Sequence, residues 1–125
     1  MASRASDRSF TARAAAILTT GEVAGATFDL NETAGSAALV NIAFTIGSLT
    51  NVVVRFYVSD DNTNFTTLFG ATGAALTQTL TATQTISIPV WAPGKPFLRV
   101  SCQGTGTVTS SSATVTISYD RRGSQ

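Results

Sequence analysis

The side chains in this sequence that could do chemistry are few and scattered. There is no histidine, so the usual general base and the commonest metal ligand are both missing. The acids are Asp7, Glu22, Asp29, Glu32, Asp60, Asp61 and Asp120, and only Asp60 and Asp61 adjoin. Neighbours on a strand point to opposite faces, but in a turn these two could converge. With Asn62 and Asn64 they offer oxygen ligands suited to Ca²⁺, yet the run lacks the glycine and the distant bidentate acid of a dedicated calcium loop. Turn capping is the better reading, and neither a metal nor any other cofactor is expected. Lys95 sits in the turn "APGKP", a poor place for a Ser-Lys pair, so no enzyme activity is expected.

Binding chemistry has slightly more to draw on. Trp91 is read as closing the end of a core, with the alternative that its exposed face stacks on a sugar ring. In that alternative Tyr57, Asp60 and Asp61 would face the ligand beside it. Arg4, Arg8 and Arg13 near the start and Arg121 and Arg122 near the end could meet phosphates, but no interleaved aromatics accompany them. Nucleic acid is therefore not the expected partner, and these arginines are read, together with Phe10, as contacts in an assembly. The lone Cys102 has no partner for an internal disulfide and reads as a small buried thiol. The two Asn-x-Thr sequons, at Asn31 and Asn64, matter only in a secretory pathway, for which nothing here argues.

The elements that must position these residues are strands. "NVVVRFYVS" places Val52, Val54, Phe56 and Val58 on one face and Val53, Arg55, Tyr57 and Ser59 on the other. Asp60 to Asn64 then turn the chain, and Phe65 to Leu68 resume the alternation, giving a hairpin with a loop of about five residues. "ALVNIAFTI" presents Val40, Ile42, Phe44 and Ile46 to one side; "FLRVSC" does the same with Leu98, Val100 and Cys102, and "ATVTISY" with Val115, Ile117 and Tyr119. "AAAILTT" and "GATFDL" read as two short strands around Gly21. "LTQTLTATQT" alternates threonine with other residues and reads as one strand with a wet, β-branched face. Pro89 in "ISIPVW" removes a backbone donor and puts that strand at a sheet edge or bulge. The spacing predicts an all-β chain: a single antiparallel β-sandwich or jelly roll of about eight strands. Its core is expected to hold Ile42, Phe44, Val54, Phe56, Val58, Leu98, Val100, Val115 and Ile117.

At 125 residues the chain makes one domain, of which 14–120 form the sandwich, 1–13 an extended basic N-terminal arm and 121–125 a polar tail. The Arg- and Ser-rich opening imitates a transit peptide but is expected to be retained. An arm with only Phe10 as an apolar anchor cannot bury itself, so removing residues 2–13 is expected to leave the sandwich intact while abolishing docking. No apolar run is long enough for a membrane helix, and no membrane partner is expected. Only 12% of residues are charged, whereas a free monomer carries about 25–35% at its surface, so much of the surface is expected to be covered by other protein.

The strings "FYVSDDNTNFTTL", "ISIPVWAPGKPFLRVSCQGTGT" and "ATVTISYD" resemble the small β-sandwich structural proteins of tailed-bacteriophage virions. The resemblance covers about residues 50 to 120. It implies a virion component assembled in the host cytoplasm: a capsid decoration or cement protein, or a neck or fibre-base subunit. Such a protein is expected to be a homotrimer bound to the major capsid protein or other virion proteins. Similar strings occur in carbohydrate-binding sandwiches, and a carbohydrate- or receptor-binding module of a fibre or spike stands as the alternative.

Overall fold

The computed structural model describes residues 8–33, 37–70, 73–92, 94–107 and 110–120, with the backbone alone at Glu32. Ten strands run in chain order: β1 (Arg8–Ala16), β2 (Val23–Ala24), β3 (Phe28–Asp29), β4 (Ala37–Thr45), β5 (Leu49–Ser59), β6 (Thr66–Thr67), β7 (Thr77–Leu80), β8 (Gln84–Trp91), β9 (Phe97–Gly106) and β10 (Ser112–Tyr119). A 3-10 turn over Leu30–Glu32 follows β3, started by the Asp29 carboxylate accepting from the Asn31 amide at 2.9 Å. There is no α-helix among the described residues. The strands form two antiparallel sheets packed as a sandwich. One has the order β1-β10-β4-β8; the other runs β2-β9-β5-β6, with β3 also on β9 and β7 also on β5.

The alternation in the sequence becomes the two faces of these sheets. Val54, Phe56 and Val58 of β5, Ile42 and Phe44 of β4, Leu98 and Val100 of β9, and Val115 and Ile117 of β10 are all buried. The hairpin from β5 into β6 is present, with Tyr57 opposite Thr67 and Val58 opposite Thr66. Pro89 stands opposite Leu39 in β8, which is an edge strand, where every second backbone nitrogen points away from the sheet.

Two expectations are corrected. The boundary placed after Arg13 falls inside β1, so Arg8 to Arg13 are sheet, not a free arm. Arg8 pairs with Tyr119 and Phe10 with Ile117. Phe10 packs on Phe28 with ring centroids 5.2 Å apart, and Phe28 on Tyr119 at 4.8 Å. The arm escaped the sequence because its apolar partners all lie on distant strands. Second, the threonine-rich run is two strands: it breaks at Thr81–Thr83, and β7 lies in one sheet while β8 lies in the other. Leu80 and Ile86 share the same parity, so the alternation carries through the break and hides it.

β1 carries two register shifts against β10, one on each side of Arg13. Its guanidinium fills the gap they leave: Nε donates to the Ala113 carbonyl, and Nη2 to those of Ala16 and Ile17, each at 3.1 Å. On the far side of the β1 edge the Ala26 amide donates to the Ala12 carbonyl at 2.8 Å, while the neighbouring Gly25 amide reaches Val100 of the other sheet at 2.8 Å. A Cβ at Gly25 would stand 2.7 Å from the Ala12 carbonyl oxygen, so only glycine lets this segment tie the two sheets together there.

Candidate functional site

Small uncharged side chains make up most of the outer face of the β1-β10-β4-β8 sheet. Thr11, Thr116, Asn41 and Ser87 stand opposite one another across the four strands. The Asn41 amide nitrogen donates to Ser118 Oγ at 2.9 Å, and Ser87 Oγ donates to Asn41 Oδ1 at 2.7 Å. Along β10 the outward residues are Ser112, Thr114, Thr116 and Ser118; along the outer part of β8 they are Thr85, Ser87, Pro89 and Trp91. Hydroxyls and methyls cover this face, and charge is absent from its three strands β4, β8 and the body of β10.

At the end of that sheet marked by the Ala37–Trp91 pair lies a groove of about 870 Å³. Its walls include Leu39, Leu68, Phe69, Leu76, Pro89, Trp91, Lys95 and Asp120. Trp91 is 68% exposed and Phe69 60%, the two largest exposed aromatic surfaces among the described residues. The expectation that Trp91 closes the core is therefore corrected. In β8 Ile88 and Val90 take the inward positions, so alternation turns Trp91 out. Phe69 was not anticipated. Its signal was the adjacency of Leu68 and Phe69: with Leu68 buried, the next side chain must face away. Asp120 Oδ1 has no hydrogen-bond partner among the described residues, and Lys95 pairs with Asp60 across 3.8 Å.

Tyr57 is not beside Trp91. It lies on the outer face of the other sheet, in a polar cluster whose hub is Glu22. Tyr57 donates its hydroxyl to Glu22 Oε2 at 2.6 Å, and Ser101 Oγ donates to the same oxygen. Arg55 Nη1 lies 3.3 Å from Glu22 Oε1 and 2.7 Å from Gln103 Oε1. Arg99 stacks over the Phe65 ring at 4.0 Å and is 5.7 Å from that of Tyr57. The hydrogen bonds from Ser101 and Tyr57 hold the Glu22 carboxyl below its ordinary range. Burial, then the Glu22 contact, pushes the Tyr57 phenol up. Glu22 gave no sequence signal, since its partners lie 33 to 79 residues away. Arg8 is exposed at the start of β1, whereas Arg4, Arg121 and Arg122 lie outside the described residues.

In the loop after β5, Asp61 accepts from the Thr63 and Asn64 amides at 2.9 and 2.8 Å, from Asn64 Nδ2 at 2.9 Å and from Ser59 Oγ at 2.9 Å. Those bonds, the Asn64 amide first, hold its carboxyl far below the usual carboxylate range. Both carboxylate oxygens are thus turned onto the loop's own backbone and side chains. Cys102 is 1% exposed in β9, and burial raises its thiol pKa.

No family model matches the chain, and no curated protein matches it in sequence. Among the solved structures that share its fold are two that suit comparison. One is of Bacillus endospore appendages, described as a novel family of disulfide-linked pili, with 14% identity, a TM-score of 0.55 and 97% of each chain covered. The other is the SPBc2 prophage-derived protein YomS, with 20% identity, a TM-score of 0.54, and 94% of this chain and 99% of that one covered. At these identities the likeness establishes the fold.

Proposed function

We propose that this chain is a non-enzymatic structural subunit of a phage particle or surface appendage. The observation that carries this reading is the outer face of the β1-β10-β4-β8 sheet, a wide row-on-row array of Thr, Ser, Asn and Ala without charge on its central strands. Interface cores are depleted in charged residues, and such a face can lie against other protein with no ion to desolvate. The two fold neighbours, one an appendage pilus and one prophage-derived, suit the same role. The finer form of the proposal is a capsid decoration protein, a trimer on the major capsid protein, with the strand order read as that of a jelly roll.

The disulfide linkage of the Bacillus pili has no counterpart here, because the single cysteine, Cys102, is 1% exposed in the core. Subunits would hold together without covalent links. Quantifying the protein in purified particles tests the reading: many tens of copies per particle are expected of a decoration protein. A protein absent from every particle and appendage fraction of its host would defeat it. A second reading, a carbohydrate-binding module, is favoured by the exposure of Trp91 alone and is tested by binding to a glycan array.

A further inference from the structure

β1 runs antiparallel to β10, so its two ends mark the two ends of the sandwich. Arg8 and Tyr119 lie at the end that holds the Trp91 groove; Ala16 and Ala113 lie at the other, about 20 Å away along β10. At that far end Ala14, Ala15, Ala16 and Ile17 are all exposed, Ile17 by 55%. Four consecutive exposed apolar residues are uncommon on a solvated surface unless something covers them. The next residue, Leu18, is buried and its amide donates to Ser111 Oγ at 3.3 Å, so the chain dives inward immediately after Ile17 and leaves that side chain protruding.

Each end is the complement of the other. One offers a short apolar protrusion, the other an apolar concavity rimmed by Trp91 and Phe69. Beside the protrusion stands Arg13, whose guanidinium meets only neutral carbonyls among the described residues. On the wall of the groove stands Asp120, with no ion pair among the described residues. A saccharide suits the groove less well. Ring hydroxyls need several free polar groups, yet Ser118 is engaged by Asn41, Lys95 pairs with Asp60, and the rest of the wall is mostly apolar.

We propose that copies of this chain add head to tail, with the Ala14–Ile17 run of one copy seated in the Trp91–Phe69 groove of the next and Arg13 facing Asp120. This deepens the structural-subunit reading and rests on it. A contact between two different patches closes into a ring if the rotation permits and otherwise continues as a filament. A trimeric ring and a pilus-like filament are then two outcomes of one contact.

The test is sedimentation velocity of the full chain over a concentration series, with Ile17→Asp and Trp91→Ala measured alone and mixed. Both residues are exposed, so unchanged melting temperatures confirm that each variant folds. Wild type is expected to grow with concentration, and each variant to associate at least tenfold more weakly. An equimolar mixture is expected to give a heterodimer that grows no further, because one variant keeps a working groove and the other a working protrusion. Variants that each still form homodimers would overturn the head-to-tail scheme, as would variants that assemble like wild type; the latter result would leave the structural-subunit reading standing on another surface. A wild type that stays monomeric overturns the scheme, and if its Trp91 fluorescence shifts on titration with oligosaccharides the groove belongs to a glycan.

Discussion

At Arg13 a side chain replaces the partners that a regular ladder would have supplied. The register shifts on either side free the carbonyls of Ala113, Ala16 and Ile17, and one guanidinium gathers all three. Arg13→Ala is expected to lower stability by about 1.5–3 kcal/mol in chemical denaturation, and Arg13→Lys to recover little, since an ammonium lacks the fork that reaches three acceptors. The charge of Arg13 is legible in the sequence, whereas the bulge that employs its guanidinium is not, because it depends on a strand about 100 residues away. Glu22 and Asp61 supply a pH dependence. Both carboxyls are held below their ordinary values of 4.5 and 3.8, so the stability they confer is present above those values and is lost as pH falls. The melting temperature of wild type is expected to drop below about pH 4, and Glu22→Gln with Asp61→Asn to flatten that drop. The Tyr57 phenol has the opposite sign: raised above 10.0, it contributes below that pH and ceases to as pH climbs past it. Cys102, buried in β9, should react with a thiol reagent only as fast as the sandwich opens, so its labelling rate measures unfolding without a mutation.

Among the elements, β1 departs most from expectation. Removing residues 2–13 takes away the Phe10–Phe28 packing, the Arg13 clamp and most of an edge strand; it is now expected to destabilise the sandwich by on the order of 3 kcal/mol relative to removing residues 2–7 alone. Equal melting temperatures for the two truncations would show that β1 is dispensable. β5, by contrast, was legible almost to the residue, because its alternation is strict and both ends carry turn formers. Phe56 lies fully buried at its centre, and Phe56→Ala is expected to cost about 3–5 kcal/mol. What alternation cannot supply is pairing. Nothing in "FLRVSC" says that β9, and not the sequence-adjacent β4, is the long partner of β5. The same ignorance hid the groove, whose walls come from β4, β8, β10 and the loop after β6. Both edges of the β1-β10-β4-β8 sheet are blunted, one by bulges and one by Pro89, which directs association away from edge-to-edge pairing. Pro89→Thr restores a donor and should raise the rate of amyloid-dye-positive aggregation.

For the molecule as a whole, the uncharged sheet face, the apolar protrusion and the apolar groove are where its low charge content, 12% of residues, shows at the surface. The strand order has a further effect, felt while the chain is being made. β10 lies between β1 and β4, and so β1 has no hydrogen-bonded neighbour in its sheet until β10 follows it from the ribosome, about 100 residues later. At elongation rates of roughly 5–20 residues per second, β1 waits for several seconds without a ladder partner in its sheet. Closure of that sheet therefore waits on the synthesis of β10. A message cut short anywhere before Ser112 yields a chain whose β1 and β4 both lack their shared partner, and the vacancy between them fits the β10 of any complete chain nearby.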